Sequence, residues 1–354
     1  MRLLLALVLL ASAPALTAQD ARYNHLHATP QLINPALIGV MDGSLRFTAN
    51  YQKLYASVLG PEAYRGVAAG AEVRGITGGD NFFGLGLQLQ RDEAGDSDFE
   101  RSQGYLGGSY QQRIAGGGRG RNRSVHYLSI GGQFGFGQRG IDLNKLWFSN
   151  QYFVDPVTRD SYIDRNRPTG EPIAGSGGTV YMDMNAGVAW FARLGERRGA
   201  YFGLSGYHLN TPNLSPVPDA TDFLDRRYTL YGGGELPLGR GYSSLLPALR
   251  VNVQGAARSA LVGSNFRYTQ RNWREIAMRL GLWLQLSNRL EGGFGPNSAV
   301  AAFGLETERL QFGFSYDINV GPLTAVTNSR GGFELSVIYL RPPRRRDRVV
   351  CPTF

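Results

Sequence analysis

Cysteine occurs once in this chain of 354 residues, at Cys351, and histidine only four times, at His25, His27, His126 and His208. A lone cysteine cannot close an internal disulfide, so the fold must hold by other means. Four scattered histidines give poor support to a zinc or catalytic centre, although His25 and His27 can face one ligand from an extended chain. Lysine is confined to Lys53 and Lys145, so 35 of the 37 basic residues are arginine. Past the N-terminal leader no stretch approaches the ~18 uninterrupted apolar residues that a membrane-spanning helix needs. A nucleophile elbow is missing as well, because GLSGY at 203–207 places Tyr207 where the last glycine of G-x-S-x-G should stand. A Ser–His hydrolase through His126 or His208 has no arranged partners. The chain is expected to be non-enzymatic and to need no cofactor or metal.

What is present begins with MRLLLALVLLASAPALTAQ. Arg2, an apolar run from Leu3 to Leu10 and small residues up to Ala18 form a secretory signal peptide, 1–18, with the mature chain starting at Gln19. Leu16 at the −3 position is larger than usual, which allows the cut to shift by a residue or two. No cysteine follows to carry a lipid. Glycine (48 residues) is about twice the usual ~7 %, which disfavours helices and suits strands that pack closely and turn often. The net charge is +9. On an exported protein this points to anionic lipid, glycan or acidic protein partners, and not to nucleic acid.

The main signal is a period of two. SLRFTANYQKLYA sets Leu45, Phe47, Ala49, Tyr51 and Tyr55 on one face and Arg46, Thr48, Asn50 and Gln52 on the other. FFGLGLQLQR sets Phe83, Leu85, Leu87 and Leu89 against Gly84, Gly86, Gln88 and Gln90, and REIAMRLGLWLQL and LQFGFSYDI repeat the pattern. Fourteen such segments are expected, near 44–56, 65–74, 82–91, 102–113, 125–137, 181–192, 200–209, 228–238, 246–256, 264–270, 274–286, 298–306, 310–318 and 331–341. Several reach the ~9–11 residues of a tilted membrane strand.

The connections alternate between a longer set, beginning with the first hairpin, and a shorter one. That asymmetry, an even strand number and the lack of a spanning helix predict an all-β fold, an antiparallel outer-membrane barrel. Its apolar faces meet lipid and its Gln, Ser, Asp and Arg faces line the lumen, so an open pore does not follow. Both chain termini are expected in the periplasm and the long loops outside. The expected division is 19–43, a periplasmic or lumenal lead-in; 44–341, the barrel; and 342–354, a basic periplasmic tail.

Three motifs need placing. GFGQRG at 135–140 matches G-x-G-x-x-G but lacks a following helix, so it does not bind a dinucleotide. DSDFER at 96–101 has Arg101 where a calcium loop needs its glycine. INPALIG at 33–39 is a turn: Pro35 steers Asn34 away from helix, and Gly39 permits a second reversal. In the tail, Pro342 and Pro343 stop the last strand. Arg344, Arg345, Arg346 and Arg348 with Cys351, Pro352 and Phe354 read as a docking peptide, charge steering a periplasmic partner and a few apolar groups setting register.

Taken in order, these blocks resemble the PorP/SprF family of type IX secretion proteins of Bacteroidetes. The resemblance runs through QDARYNHLHATPQLINPALIG, FTANYQKLYASVLG, GLGLQLQRDEAG, LSIGGQFGFGQRGIDLNKL, YFGLSGYHLNTPN, LPALRVNVQ and LQFGFSYDINVGPLTAVTNSRGGFELSVIYL, and ends in VVCPTF. One departure is the aromatic, usually Trp, expected after Gln52, where this chain has Lys53, Leu54 and Tyr55. The resemblance implies a role in type IX secretion or gliding motility, with periplasmic peptidoglycan-associated components, the outer-membrane translocon and a secreted surface adhesin as partners. The alternative from a different class is a diffusion channel or small-molecule transporter.

Overall fold

The computed structural model describes residues 20–342, leaving aside 78–79, 96–98, 118–123, 143–144, 171–177, 196, 216, 218, 240–241, 270–275 and 290–292. The expected signal peptide, residues 96–98 of DSDFER and the tail from Pro343 lie outside the described residues. Five strands come first: β1 (Leu45–Leu54), β2 (Tyr64–Thr77), β3 (Asn81–Ala94), β4 (Phe99–Gly117) and β5 (Ser124–Gly140). Two short ones, β6 (Tyr152–Val154) and β7 (Ser161–Ile163), pair with each other in the next connection. Then follow β8 (Thr179–Gly195), β9 (Arg198–Tyr207), β10 (Arg227–Leu238), β11 (Ser243–Gln254) and β12 (Ala257–Thr269). The last four are β13 (Ala277–Asn288), β14 (Phe294–Glu306), β15 (Leu310–Asn319) and β16 (Arg330–Arg341).

All except β6 and β7 form one closed antiparallel barrel of fourteen strands, in which each strand pairs with its neighbour in sequence. β1 closes the ring on β16, from Leu45 opposite Arg341 to Leu54 opposite Gly332. Closure leaves no unpaired edge, which is the condition for strands to cross lipid. The shortest barrel strands have 10 residues, enough for a tilted crossing. No described helix is long and apolar enough to cross a membrane.

The alternation expected from sequence is the alternation of the wall. Leu85, Leu87 and Leu89 of β3 and Leu280, Leu282 and Leu284 of β13 are exposed outward, while Gln88, Gln90, Arg279 and Trp283 are buried inside. A continuous apolar outer face around a polar interior is the pattern of an outer-membrane barrel. Two of the boundaries that differ from expectation have a local cause. β12 begins at Ala257, not near 264, because Ala257, Ser259, Ala260 and Leu261 are all buried and break the two-residue alternation. β4 runs on to Gly117 past a register shift between Arg113 and Ala115, which hides its end from a strict period.

The described parts of the long connections after β1, β5, β9 and β15 lie at one mouth, the long-loop mouth, with the end of β3 and start of β4, the 255–256 turn, and the end of β13 and start of β14. At the opposite, short-turn mouth lie the end of β2 with the start of β3, and likewise β4 with β5, β8 with β9, β10 with β11, β12 with β13 and β14 with β15. The chain enters β1 and leaves β16 at the short-turn mouth. Its first described residue does not lie there. Asp20 contacts Arg101, Arg227 and Gln254, which stand at the long-loop ends of β4, β10 and β11. The expectation that both ends of the mature chain share one side therefore needs correction at Asp20: residues 20–43 traverse the lumen before β1 begins.

Candidate functional site

The traversing segment contains only isolated turns: Leu26–Ala28, Pro30–Ile33 and Pro35–Leu37. Turns this short leave most of their backbone groups without a local partner, and buried backbone groups must be paired. The inner wall supplies the partners. Ser109 Oγ donates to the Ile38 carbonyl at 2.5 Å, Ser129 Oγ to Ala36 at 2.6 Å and Ser205 Oγ to Ile33 at 2.6 Å. Tyr207 OH reaches Gln31 O at 2.8 Å, Asn50 Nδ2 reaches Ala28 O at 3.0 Å, and Arg227 Nη2 reaches Leu32 O at 3.0 Å. Polar residues at alternate positions of many strands thus act as receptors for one threaded peptide.

Asn34, Pro35 and Gly39 are the centre of this contact. Asn34 is extended (φ −159°, ψ 125°), as its proline neighbour requires, and its Oδ1 accepts from Ala36 N at 2.8 Å to start the Pro35–Leu37 turn. Its Nδ2 donates to the carbonyls of Val188 and Leu204 at 2.9 and 3.0 Å, which ties the turn to β8 and β9. Gly39 adopts φ +74°, the reversal that glycine allows, and a Cβ there would lie 2.7 Å from Gly84 Cα. The wall is cut away to match. A side chain at Gly131 would meet the Pro35 carbonyl at 2.5 Å, and one at Gly187 would strike Asn34 Oδ1. Around the turn, Ile33, Ala36, Leu37 and Val40 pack into an apolar layer with Phe82, Tyr127, Phe191, Tyr201 and Tyr231. Phe82, Tyr127, Phe191 and Tyr201 place that layer toward the short-turn side of the lumen.

Buried charge holds the rest. Glu72 takes Arg46 at 2.8 Å and accepts from Gly39 N at 2.8 Å. Glu334 accepts from Asn24 N at 2.6 Å and His25 N at 3.2 Å, while Asn24 Nδ2 donates to Asp317 at 2.7 Å. Asp20 receives Arg101 at 2.7 Å, Arg227 at 2.8 Å and His208 Nε2 at 2.8 Å. His208 Nδ1 in turn lies 2.7 Å from Asp183, which also accepts from Tyr105 OH at 2.6 Å. Burial alone would raise the Asp20 carboxyl, but His208, Arg101 and Arg227 together hold it well below the usual range. Burial opposes charge on His208, yet Asp20 and Asp183 raise its pKa. Buried ion pairs contribute little net stability, but leaving one partner alone is strongly unfavourable, so such networks specify position.

Above the segment, at the long-loop mouth, is a cavity of about 360 Å³ lined by Asn24, Tyr64, Gln285, Asp317 and Asn319 among others. Two strand irregularities border it, where Asn297 is the extra residue between β14 and β13 and Gly331 the extra residue between β16 and β15. Its floor is Asp20–Arg22 and Asn24, so the vestibule ends on the segment.

The structure thus brings Asn34, Pro35 and Gly39 together inside the lumen. The tail residues Arg344, Arg345, Arg346, Arg348, Cys351, Pro352 and Phe354 lie outside the described residues. His208 belongs to the Asp20 network, whereas His126 packs its ring near Trp190, 5.8 Å between centroids. His25 and His27 meet edge to face at 5.6 Å, and no group of three or more His, Cys, Asp or Glu among the described residues has the arrangement of a metal site. GFGQRG lies inside β5 and GLSGY inside β9, both continuous strand. Sequence reading missed Asp20, which lies on the segment itself, and the strand carboxylates Glu72, Glu334 and Asp183. The inward register of the three strand carboxylates was readable, but nothing local marks a lumenal carboxylate as the receptor of a distant turn.

A fourteen-stranded outer-membrane barrel with its own N-terminal segment threaded through the lumen is the class that these features define. The chain belongs to the family described as type IX secretion system membrane protein PorP/SprF, whose model matches residues 15–339. No match is found among curated proteins. Solved structures with a similar chain course include the Ralstonia pickettii toluene transporter TbuX, at 10% identity over 90% of this chain and 94% of that one, TM-score 0.48. The CymD monoaromatic hydrocarbon channel is similar at 11% identity over 91% and 94%, TM-score 0.45. The P. putida toluene transporter TodX is similar at 11% identity over 89% and 94%, TM-score 0.42.

Proposed function

We propose that this protein is a non-enzymatic anchor of the type IX secretion and gliding machinery in the outer membrane, not a conduit. The observation that carries the proposal is the lumen itself: residues 20–43 occupy it through hydrogen bonds to many strands, so cargo passes elsewhere. On this reading the long-loop mouth faces the cell exterior and meets a secreted surface adhesin. The basic tail beyond β16 then docks a periplasmic, peptidoglycan-associated component. Support comes from family membership and from the exit of β16 at the short-turn mouth, where Pro342 ends the ladder. The channel alternative needs a continuous aqueous path, whereas the vestibule ends on the segment.

Affinity capture of the tagged protein from outer membranes in mild detergent tests the proposal, with intact chain beside chain lacking 342–354. The anchor role predicts co-purification of periplasmic type IX components or a large surface protein, reduced at least several-fold without the tail. Recovery of the intact, folded barrel alone would remove the anchor reading.

A further inference from the structure

Between the segment and the wall of β10, β11 and β12 lies a second cavity, of about 20 Å³, lined by Asp20, Arg22, Tyr23, Arg227, Arg250 and Asn252 among others. Space of ~10–15 Å³ by this measure holds one water-sized group. Three guanidinium groups border it and repel one another. Arg250 is 6% exposed; its Nη1 donates to the Tyr23 carbonyl at 2.9 Å, but its Nε finds no acceptor among the described residues. Arg227 Nε is likewise buried without an acceptor among the described residues.

The negative charge nearby is already committed. Asp20, the carboxylate in the lining, is shared among Arg101, Arg227 and His208. Glu334 attracts Arg250 only from beyond ion-pair distance, because its two oxygens hold the amides of Asn24 and His25. Among the described residues neither Arg22 nor Arg250 has a carboxylate within 4.0 Å. Buried charge is tolerated when it is paired, and unpaired guanidinium groups around one small polar cavity define where the missing charge belongs.

We propose that this cavity binds a single small inorganic anion of chloride size, held by Arg22, Arg227 and Arg250. Arg22 belongs to the threaded segment and the other two to the wall. The ion therefore bridges segment and barrel, and its binding is linked to segment docking. It completes the latch that Asp20 begins from the opposite charge.

The test uses the intact protein in detergent, melted in sodium chloride and in sodium gluconate at equal ionic strength. The melting temperature is expected to rise with chloride and not with gluconate. Arg22→Gln should raise the half-saturating chloride concentration at least tenfold while keeping the fold, since Arg22 has no ion-pair partner among the described residues to leave behind. Crystals grown in bromide should show an anomalous peak between Arg22 and Arg250. Coincident melting in the two salts would overturn the proposal, as would the lack of a bromide peak in a folded barrel. A response to sulfate without one to chloride would overturn the chloride-sized assignment.

Discussion

Single residues set the pH response of the docked segment. His25 is buried in the lumen, and burial, with Arg279 nearby, pushes its pKa down to about 4 from the usual 6.5. A histidine depressed in the docked state takes up a proton on undocking, so its contribution is complete above pH 6.5 and is lost as pH falls toward 4. His208 runs in the opposite direction. Asp20 and Asp183 raise its pKa against burial, so its contribution is complete below pH 6.5 and is lost as pH climbs through the raised value. Asp20 stays ionised throughout this window, being held far below 3.8. Protection factors for amides of residues 24–33, measured from pH 4 to 9, isolate each arm by difference. Relative to wild type, His25→Gln should make the acid side shallower, with buried His27 contributing a loss of the same sign, and His208→Gln should flatten the alkaline side. Identical profiles for all three chains would refute both assignments.

At the scale of elements, a threaded peptide meets strands that carry receptors and cut-outs. The cut-outs are the more exacting part, because a seryl–carbonyl bond lost at one strand leaves the others in place, whereas a side chain at Gly131 occupies the space of the Pro35 carbonyl. Overpacking of a tight contact typically costs about 1–3 kcal/mol. Gly131→Leu is therefore expected to displace the 34–39 turn without opening the barrel ladder. Hydrogen exchange should accelerate at residues 33–40 by roughly ten- to a hundredfold, the factor that corresponds to such a cost. Exchange in β5 itself should stay slow; if β5 exchanges as fast as the turn, the substitution has disrupted the wall and the glycine is not a docking site. Ser129→Ala, which removes one 2.6 Å bond to Ala36, should have a smaller effect at the same residues.

For the whole molecule, the lumenal segment decides between an anchor and a pore. Intact protein in planar bilayers is expected to be electrically silent. A chain lacking residues 24–38, checked for barrel folding by its heat-dependent gel mobility, should show stepwise conductance, because the deletion takes away the apolar layer built on Ile33, Ala36 and Leu37. Equal conductance in the two proteins would mean that ions bypass the segment, and the channel reading would replace the anchor.

Sequence alone determined the wall. A period of two over long segments separates the lipid face from the lumen face whatever the tertiary context, since successive side chains of a strand must point to opposite sides. Hence Leu85 outside and Gln88 inside were readable, as were the family blocks and the turn at Asn34–Pro35. Where alternation failed, as at Ala260 and Leu261, the strand boundary failed with it. Tertiary structure decided where residues 20–43 run, and which carboxylates receive them. Asp20 and His208 are 188 residues apart, and Asn24 and Glu334 310. Only closure of the ring between β1 and β16 surrounds the segment with all its partners at once, because a hydrogen bond is specified by position in space and not by spacing along the chain.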